Sequence, residues 1–123
     1  MPSSLTFLLV DDDLEKRFLI AHHLSREFAG VTVIECNSGA DAIAHLEEHT
    51  VHAVVTDNSM TPINGLELIA WVRKRDALLP VVMVTGNPEI EPVALNAGAS
   101  VVLDSWKFQE LGRMLKELLP PSA

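Results

Sequence analysis

The 123-residue sequence contains one cysteine, no tyrosine and few basic side chains. Cys36 has no second cysteine to pair with, so an internal disulfide is excluded, and a free thiol fits a reducing compartment. Lysine and arginine number 9 against 17 acidic residues, which gives a net charge of −8. A surface with that charge disfavours direct binding to nucleic acid, so we expect no nucleic-acid partner.

Membrane and export signals are also missing from the sequence. The first residues lack the basic and apolar pattern of a secretion signal, and no apolar run approaches the roughly 20 residues of a membrane span. We therefore expect a cytoplasmic protein that does not enter a membrane. Apolar residues make up 48% of the chain, which is enough for the core of one domain, predicted over residues 1–123.

Short apolar segments rich in β-branched residues alternate with amphipathic segments. The apolar segments predict strands at 5–10, 31–36, 52–56, 80–86 and 100–103. A helix is expected after each strand, and Pro92 restricts the fourth helix to a short one from about 91 to 97. The pattern predicts an α/β fold, a single doubly wound five-stranded parallel sheet flanked by five helices. The order 2-1-3-4-5 is the one expected for a flavodoxin-like sheet.

The first helix is predicted to begin after Asp13, which is a suitable N-cap and places Lys16 at the third helical position. Apolar residues recur along this segment at helical spacing, and we expect them to form its buried stripe. They are Leu14, Phe18, Ala21, Leu24 and Phe28.

Acidic residues follow two of the predicted strands. Asp11 and Asp12 come directly after the first strand, and Asp57 ends the third. In the expected sheet order these strand ends are neighbours, and Thr85 arrives from the adjacent fourth strand. Carboxylates this close repel one another unless a cation neutralises them, and Mg²⁺ prefers such oxygen ligands. We therefore expect a magnesium site in which one carboxylate can act as a nucleophile towards phosphorus.

Motifs along nearly the whole chain resemble those of response-regulator receiver domains of two-component signalling. They are the apolar strand into Asp11-Asp12, Asp57 with Met60 and Pro62, Asn64-Gly65-Leu66-Glu67-Leu68, Val84-Thr85-Gly86, and Ala97-Gly98-Ala99.

This resemblance implies a role for each matching residue. Asp57 corresponds to the aspartate that accepts a phosphoryl group from a sensor histidine kinase or a histidine phosphotransfer protein. Asp11 and Asp12 correspond to the pair that holds Mg²⁺, with the backbone carbonyl of Ser59 as a further ligand. Thr85 corresponds to the hydroxyl residue that moves toward the phosphoryl group. The resemblance implies a phosphoacceptor with at most slow self-dephosphorylation, not an enzyme. It also implies a possible downstream protein or homodimer, bound through the face of the fourth helix, fifth strand and fifth helix.

The sequence departs from the family pattern at three places. Ser105-Trp106 stands where Lys-Pro is usual, Val102 where an aromatic is usual, and Met60-Thr61-Pro62 where Met-Pro is usual. We expect Ser105 to leave the phosphoryl oxygens without an ammonium group, with Lys107 the first candidate to reach back. Because a charge-assisted hydrogen bond is worth about 1.5–3 kcal/mol, the response to phosphorylation should be weaker by about that amount.

Two alternatives stay open at this stage. Ser105 and Val102 favour a pseudo-receiver, a protein-interaction module that works without phosphorylation. A phosphatase of the haloacid-dehalogenase type would use Asp11-Asp12-Asp13 and Thr85, but it needs a later acidic pair, for which only Asp104 is present.

Other residues are assigned structural roles. Trp106 and Phe108 are expected to cover the core, although an exposed aromatic pair there would be an interface. Five histidines are expected to have no ligand role, and most of them to be solvated; they are His22, His23, His45, His49 and His52.

Overall fold

Five parallel strands form the centre of the structure, a computed structural model that describes residues 4–121. Residues 1–3 and 122–123 of the predicted domain lie outside the described residues. The sheet has the predicted order 2-1-3-4-5. Its strands are β1 (Thr6–Val10), β2 (Thr32–Cys36), β3 (Ala53–Thr56), β4 (Val81–Thr85) and β5 (Val101–Asp104).

A helix follows each strand, as predicted. The helices are α1 (Leu14–Glu27), α2 (Gly39–Glu48), α3 (Gly65–Arg75), α4 (Glu91–Ala97) and α5 (Leu111–Leu118), with short 3-10 turns at Pro88–Ile90 and Ser105–Glu110. Pro92 lies in the first turn of α4, where its missing N–H costs little, and Gly98 ends the helix with a φ of 121°. None of the helices within residues 4–121 is both long enough and apolar enough to cross a membrane.

Both faces of the sheet are buried, which explains why the strands are apolar throughout. Leu8 and Val10 of β1 pack on one side with α2, α3 and α4. Phe7 and Leu9 point to the other side, where they pack with α1 and α5. This burial on two faces is what parallel sheets with helical crossovers require.

The predicted stripe of α1 is wrong at two positions. Leu14 is 68% exposed and Phe18 is 67% exposed, whereas Ile20 and Leu24 form the buried face. Phe28 is buried, but it follows the helix in an extended conformation, so its burial does not continue a helical stripe. The helix carries apolar residues on more than one side, and periodicity does not identify the side that packs.

His23 joins α1 to α5 and is therefore structural, an exception among histidines of which most are expected to be solvated. Its Nε2 accepts a hydrogen bond from the backbone N–H of Gly112 at 3.0 Å, and its ring forms a T-shaped pair with that of Phe108. Burial lowers the pKa of His23; Lys116 adds to this effect and Glu27 opposes it. The accepting nitrogen must be unprotonated, so acid breaks this contact.

We predict a loss of stability in acid that depends on His23. Its folded pKa lies below the unfolded value of about 6.5, so the unfolded state binds more protons as the pH falls below that value. The free energy of unfolding should then fall between pH 7.5 and pH 5.5. Urea unfolding at both pH values should show a smaller loss in His23→Gln, whose amide oxygen still accepts.

The matched control for this prediction is His22→Gln, which changes the exposed neighbour on the same helix. It should lose as much stability in acid as the parent protein. Equal losses in the parent and both variants would contradict the assignment.

Candidate metal site at the carboxyl edge of the sheet

Three carboxylates meet at the carboxyl edge of the sheet. The pairing of Val10 with Thr56 places the residues that follow them, Asp11 and Asp57, side by side. Asp11, Asp12 and Asp57 each offer one oxygen, and these oxygens lie within 4.8 Å of one another. Asp11 is 1% exposed and Asp57 is 9% exposed, while Asp12 is exposed at the rim. Such a set of hard oxygen donors fits a divalent cation such as Mg²⁺.

Asp11 is tied to the start of α1. Its Oδ1 accepts a hydrogen bond from the N–H of Asp13 at 2.9 Å, and Asp13 caps the helix by accepting from the N–H groups of Glu15 and Lys16. Burial raises the pKa of Asp11; the Asp13 hydrogen bond and the charge of Lys16 oppose this effect, and the charge of Asp57 adds to it. The predicted cap is confirmed, and it places the third helical residue next to the acids.

The loop after β3 holds Asp57 through its backbone. Oδ1 of Asp57 accepts from the N–H of Asn58 at 2.7 Å, and the carbonyl of Asn58 accepts from the N–H of Gly65 at 3.1 Å. A Cβ at position 65 would lie 2.8 Å from Cα of Asn58 and would clash with the carbonyl oxygen of Asp57. Glycine at 65 therefore permits α3 to begin directly against the loop that carries Asp57.

Lys16 inserts its ammonium between two of the acids, which the sequence analysis missed. Its Nζ lies 3.2 Å from Oδ2 of Asp11 and 3.4 Å from Oδ1 of Asp57, and it donates to the carbonyl of Val84 at 2.9 Å. An ammonium therefore lies beside the acids although position 105 lacks a lysine, while the expectation for the phosphoryl oxygens stays a prediction. The signal available was the position of Lys16, one helical turn after an N-cap that itself follows the acidic pair.

Within residues 4–121, neither Ser105 nor Lys107 forms an ion pair with these acids. Ser105 is half-buried, and its hydroxyl oxygen has no hydrogen-bond partner in the described part of the chain. Lys107, the first candidate to reach back, is exposed.

Thr85 and Ser59 lie where the strand order predicts. Thr85 ends β4 and is buried, and its Oγ1 accepts from the N–H of Asn87 at 3.0 Å. Ser59 is exposed in the loop after β3, where it lines an open cavity of about 380 Å³ together with Asp12. The roles of the Ser59 carbonyl as a ligand and of Thr85 as a mobile hydroxyl stay predictions. The peptide bond between Thr61 and Pro62 in the same loop is cis.

An apolar rim borders the acidic cluster. Trp106 is 91% exposed, so the prediction that it covers the core is wrong, whereas Phe108 is half-buried. A cavity of about 340 Å³ separates Trp106 from α1 and is lined by Lys16, Leu19 and Ser105. One lysine thus contacts both the acids and this cavity.

Comparison with known proteins identifies the family. Residues 7–116 match the family model of the response regulator receiver domain. The chain belongs to this family. It is therefore a receiver domain of two-component response regulators, as the motifs predicted.

Curated relatives of this receiver domain are transcriptional regulators. It is 38% identical over 95 residues to the regulatory protein UhpA of Salmonella typhimurium, covering 77% of this chain and 48% of that protein. It is 35% identical over 119 residues to the regulatory protein GltR of Pseudomonas aeruginosa, covering 93% of this chain and 48% of that protein. The chain spans about half the length of these two relatives.

Solved structures confirm the fold. A response regulator from Chloroflexus aurantiacus is 27% identical, with a TM-score of 0.86 over 94% of this chain and 98% of that one. TrrA of Thermotoga maritima, solved in complex with Mg²⁺-BeF, is 26% identical, with a TM-score of 0.84 over 94% of this chain and 99% of that one.

Proposed function

We propose that this receiver domain accepts a phosphoryl group on Asp57, in a reaction that depends on Mg²⁺. The donor is the phosphohistidine of a sensor histidine kinase or a histidine phosphotransfer protein. The observation that carries the proposal is the position of Asp57, whose carboxylate lies at the sheet edge among Asp11, Asp12 and the Lys16 ammonium. A carboxylate in such a cluster can attack phosphorus when a cation offsets the charge of its neighbours.

The transfer forms one bond to phosphorus and breaks another. An oxygen of Asp57 bonds to phosphorus while the bond from phosphorus to the donor imidazole nitrogen breaks, and the imidazole keeps the electron pair. The Asn58 N–H holds Oδ1 of Asp57 during attack. The hydroxyl of Thr85 accepts from Asn87 and keeps its own hydrogen for donation to a phosphoryl oxygen. Mg²⁺ bound by the three acids and the Ser59 carbonyl would neutralise the phosphoryl oxygens.

The proposed role is that of an acceptor in a phosphorelay, with at most slow loss of the phosphoryl group, and not that of an enzyme. A cytoplasmic setting is part of the same proposal, supported by the free thiol of Cys36.

Mg²⁺ should stabilise the folded protein, because the cluster of three acids exists only in the folded chain. At a concentration of about 100 times Kd the gain in unfolding free energy is about 2.7 kcal/mol. Thermal unfolding across a Mg²⁺ series should show a rising midpoint that saturates. Asp12→Ala should abolish this rise.

The control for the Mg²⁺ series is Glu48→Ala, which removes one acidic charge from the exposed end of α2. It should respond to Mg²⁺ as the parent does. A midpoint independent of Mg²⁺ in the parent protein would contradict the metal site.

Incubation with acetyl phosphate and Mg²⁺ should add one phosphoryl mass to the parent protein. Asp57→Asn should lose the adduct because an amide does not attack phosphorus. Intact-mass spectrometry measures both. An adduct that persists in Asp57→Asn would assign the reaction to Asp11 or Asp12, and no adduct in the parent would favour the phosphorylation-independent interaction module.

An exposed apolar surface adjoins the proposed phosphorylation site. The docking surface consists of Leu14, Phe18 and Leu19 on α1 together with Trp106. Leu19 and Trp106 line the cavity that Lys16 shares with the acidic cluster. A protein that brings a phosphohistidine to Asp57 has to cover this rim, so we assign the docking surface to the phosphodonor protein.

Phe18→Ser and Trp106→Ser should slow transfer from a phosphohistidine protein while leaving acetyl phosphate uptake unchanged. Loss of one buried aromatic anchor costs about 2 kcal/mol or more at a protein interface. The donor is selected from a panel of histidine kinase cores as the one that phosphorylates the parent protein fastest. Radiolabel transfer over time measures the rate.

The matched control is Leu78→Ser, an exposed apolar residue beside the opposite edge of the sheet. It should transfer at the parent rate. Equal slowing by acetyl phosphate and by the kinase would show a defect in the site itself and would contradict the docking assignment.

A second partner surface remains part of the proposal. The face formed by α4, β5 and α5 is the one expected to bind a downstream protein or a second copy. Val93 and Leu95 on α4 are exposed apolar residues and support that expectation.

A further inference from the structure

The Lys16 ammonium joins the ends of three strands. It contacts Asp11 after β1, Asp57 after β3 and the carbonyl of Val84 in β4. The contact to the Val84 carbonyl is a hydrogen bond, and the contacts to the two carboxylates are ion pairs. The Lys16 side chain is 19% exposed, and a charge this buried is costly unless it is paired. The two carboxylates and the carbonyl therefore determine where the ammonium lies.

Other basic groups near the acids are engaged elsewhere. Arg17 donates to the backbone carbonyl of Asp11 at 2.6 Å and pairs with Glu35 at 3.0 Å, so its charge is directed away from Asp57. Lys107 is exposed, and Ser105 carries no charge. Within residues 4–121, Lys16 is the basic residue that forms ion pairs with the clustered acids.

We propose that Lys16 is the ammonium of the phosphorylation site. In the unphosphorylated protein it neutralises Asp11 and Asp57, and when Asp57 is phosphorylated it contacts the phosphoryl oxygens. The contact between Lys16 and the phosphoryl oxygens rests on the proposed function. Phosphorylation converts the carboxylate into an acyl phosphate, a mixed anhydride, and places about two negative charges on the phosphoryl oxygens. Because Nζ already lies 3.4 Å from Asp57, only the flexible end of the side chain has to move.

The same geometry makes Lys16 a competitor of the divalent cation. A metal held by Asp11 and Asp57 shares carboxylates that the ammonium already contacts, and two cations this close repel each other. Removal of the ammonium should therefore tighten Mg²⁺ binding while it slows phosphoryl uptake. These opposite effects separate the proposed role from a structural one, in which a damaged site would lose both.

The test compares Lys16→Gln and Lys16→Arg with the parent protein. Lys16→Gln should bind Mg²⁺ about tenfold more tightly or better, measured by calorimetry without any phosphodonor. At saturating Mg²⁺ its phosphorylation by acetyl phosphate should be about tenfold to a hundredfold slower, because a charge-assisted contact to the phosphoryl oxygens is lost. Lys16→Arg keeps the charge and should retain most of the parent rate.

A matched control and a rescue complete the design. Lys107→Gln removes one exposed lysine and should leave both measurements unchanged. Ser105→Lys in the Lys16→Gln background should restore much of the rate, since residue 105 lines the same cavity as Lys16.

Two results would overturn the inference. One is a Lys16→Gln protein that matches Lys107→Gln in both measurements, and the other is a Lys16→Gln protein that binds Mg²⁺ more weakly than the parent. If the parent itself takes up no phosphoryl group, the proposed function fails separately. The calorimetric comparison then tests whether Lys16 neutralises Asp11 and Asp57. Equal Mg²⁺ affinities of the parent protein and Lys16→Gln overturn that role.

Discussion

Repulsion between carboxylates at the ends of β1 and β3 is the constraint on which the site depends. The sheet register brings Asp11 and Asp57 together, and burial strengthens the interaction between them because it removes water. The fold accepts this arrangement because Lys16 lies between the two groups. The Lys16 ammonium thus offsets part of the negative charge of these carboxylates at the carboxyl edge of the sheet.

The fold could be predicted from the sequence because its signals are local. Each strand is a short apolar run, and Asp57 marks the end of one of them. Pro92 restricts where α4 can begin, because proline lacks an N–H group and fits only the first turn of any helix. The convergence of Asp11, Asp12 and Asp57 then follows from the strand order alone, since parallel strands end at the same edge.

What the sequence analysis missed depends on side-chain direction and on the choice of packing face. Lys16 is an ordinary helical residue by position, and nothing in periodicity shows that its ammonium turns toward the acids. Leu14 and Phe18 match a helical stripe, but α1 packs through Ile20 and Leu24 instead. Trp106 is exposed because the chain after β5 continues as a 3-10 turn, which places its ring beyond the core. These features depend on tertiary packing. Leu14, Phe18 and Trp106 are also residues of the proposed docking surface.

The position of the ammonium changes how the absence of a lysine at 105 should be interpreted. A Coulomb interaction depends on distance and surroundings, and it is indifferent to which segment carries the charge. If the proposal for Lys16 holds, Ser105 does not by itself weaken the link between phosphorylation and conformation, because Lys16 supplies the contact from α1. The segment that carries the ammonium still determines which part of the protein responds. A group shifts a conformational equilibrium only through contacts that differ between the two states. An ammonium on α1 couples the charge on Asp57 to the helix that bears Leu14 and Phe18. Under the proposed function, phosphorylation of Asp57 would then act on the surface assigned to the donor.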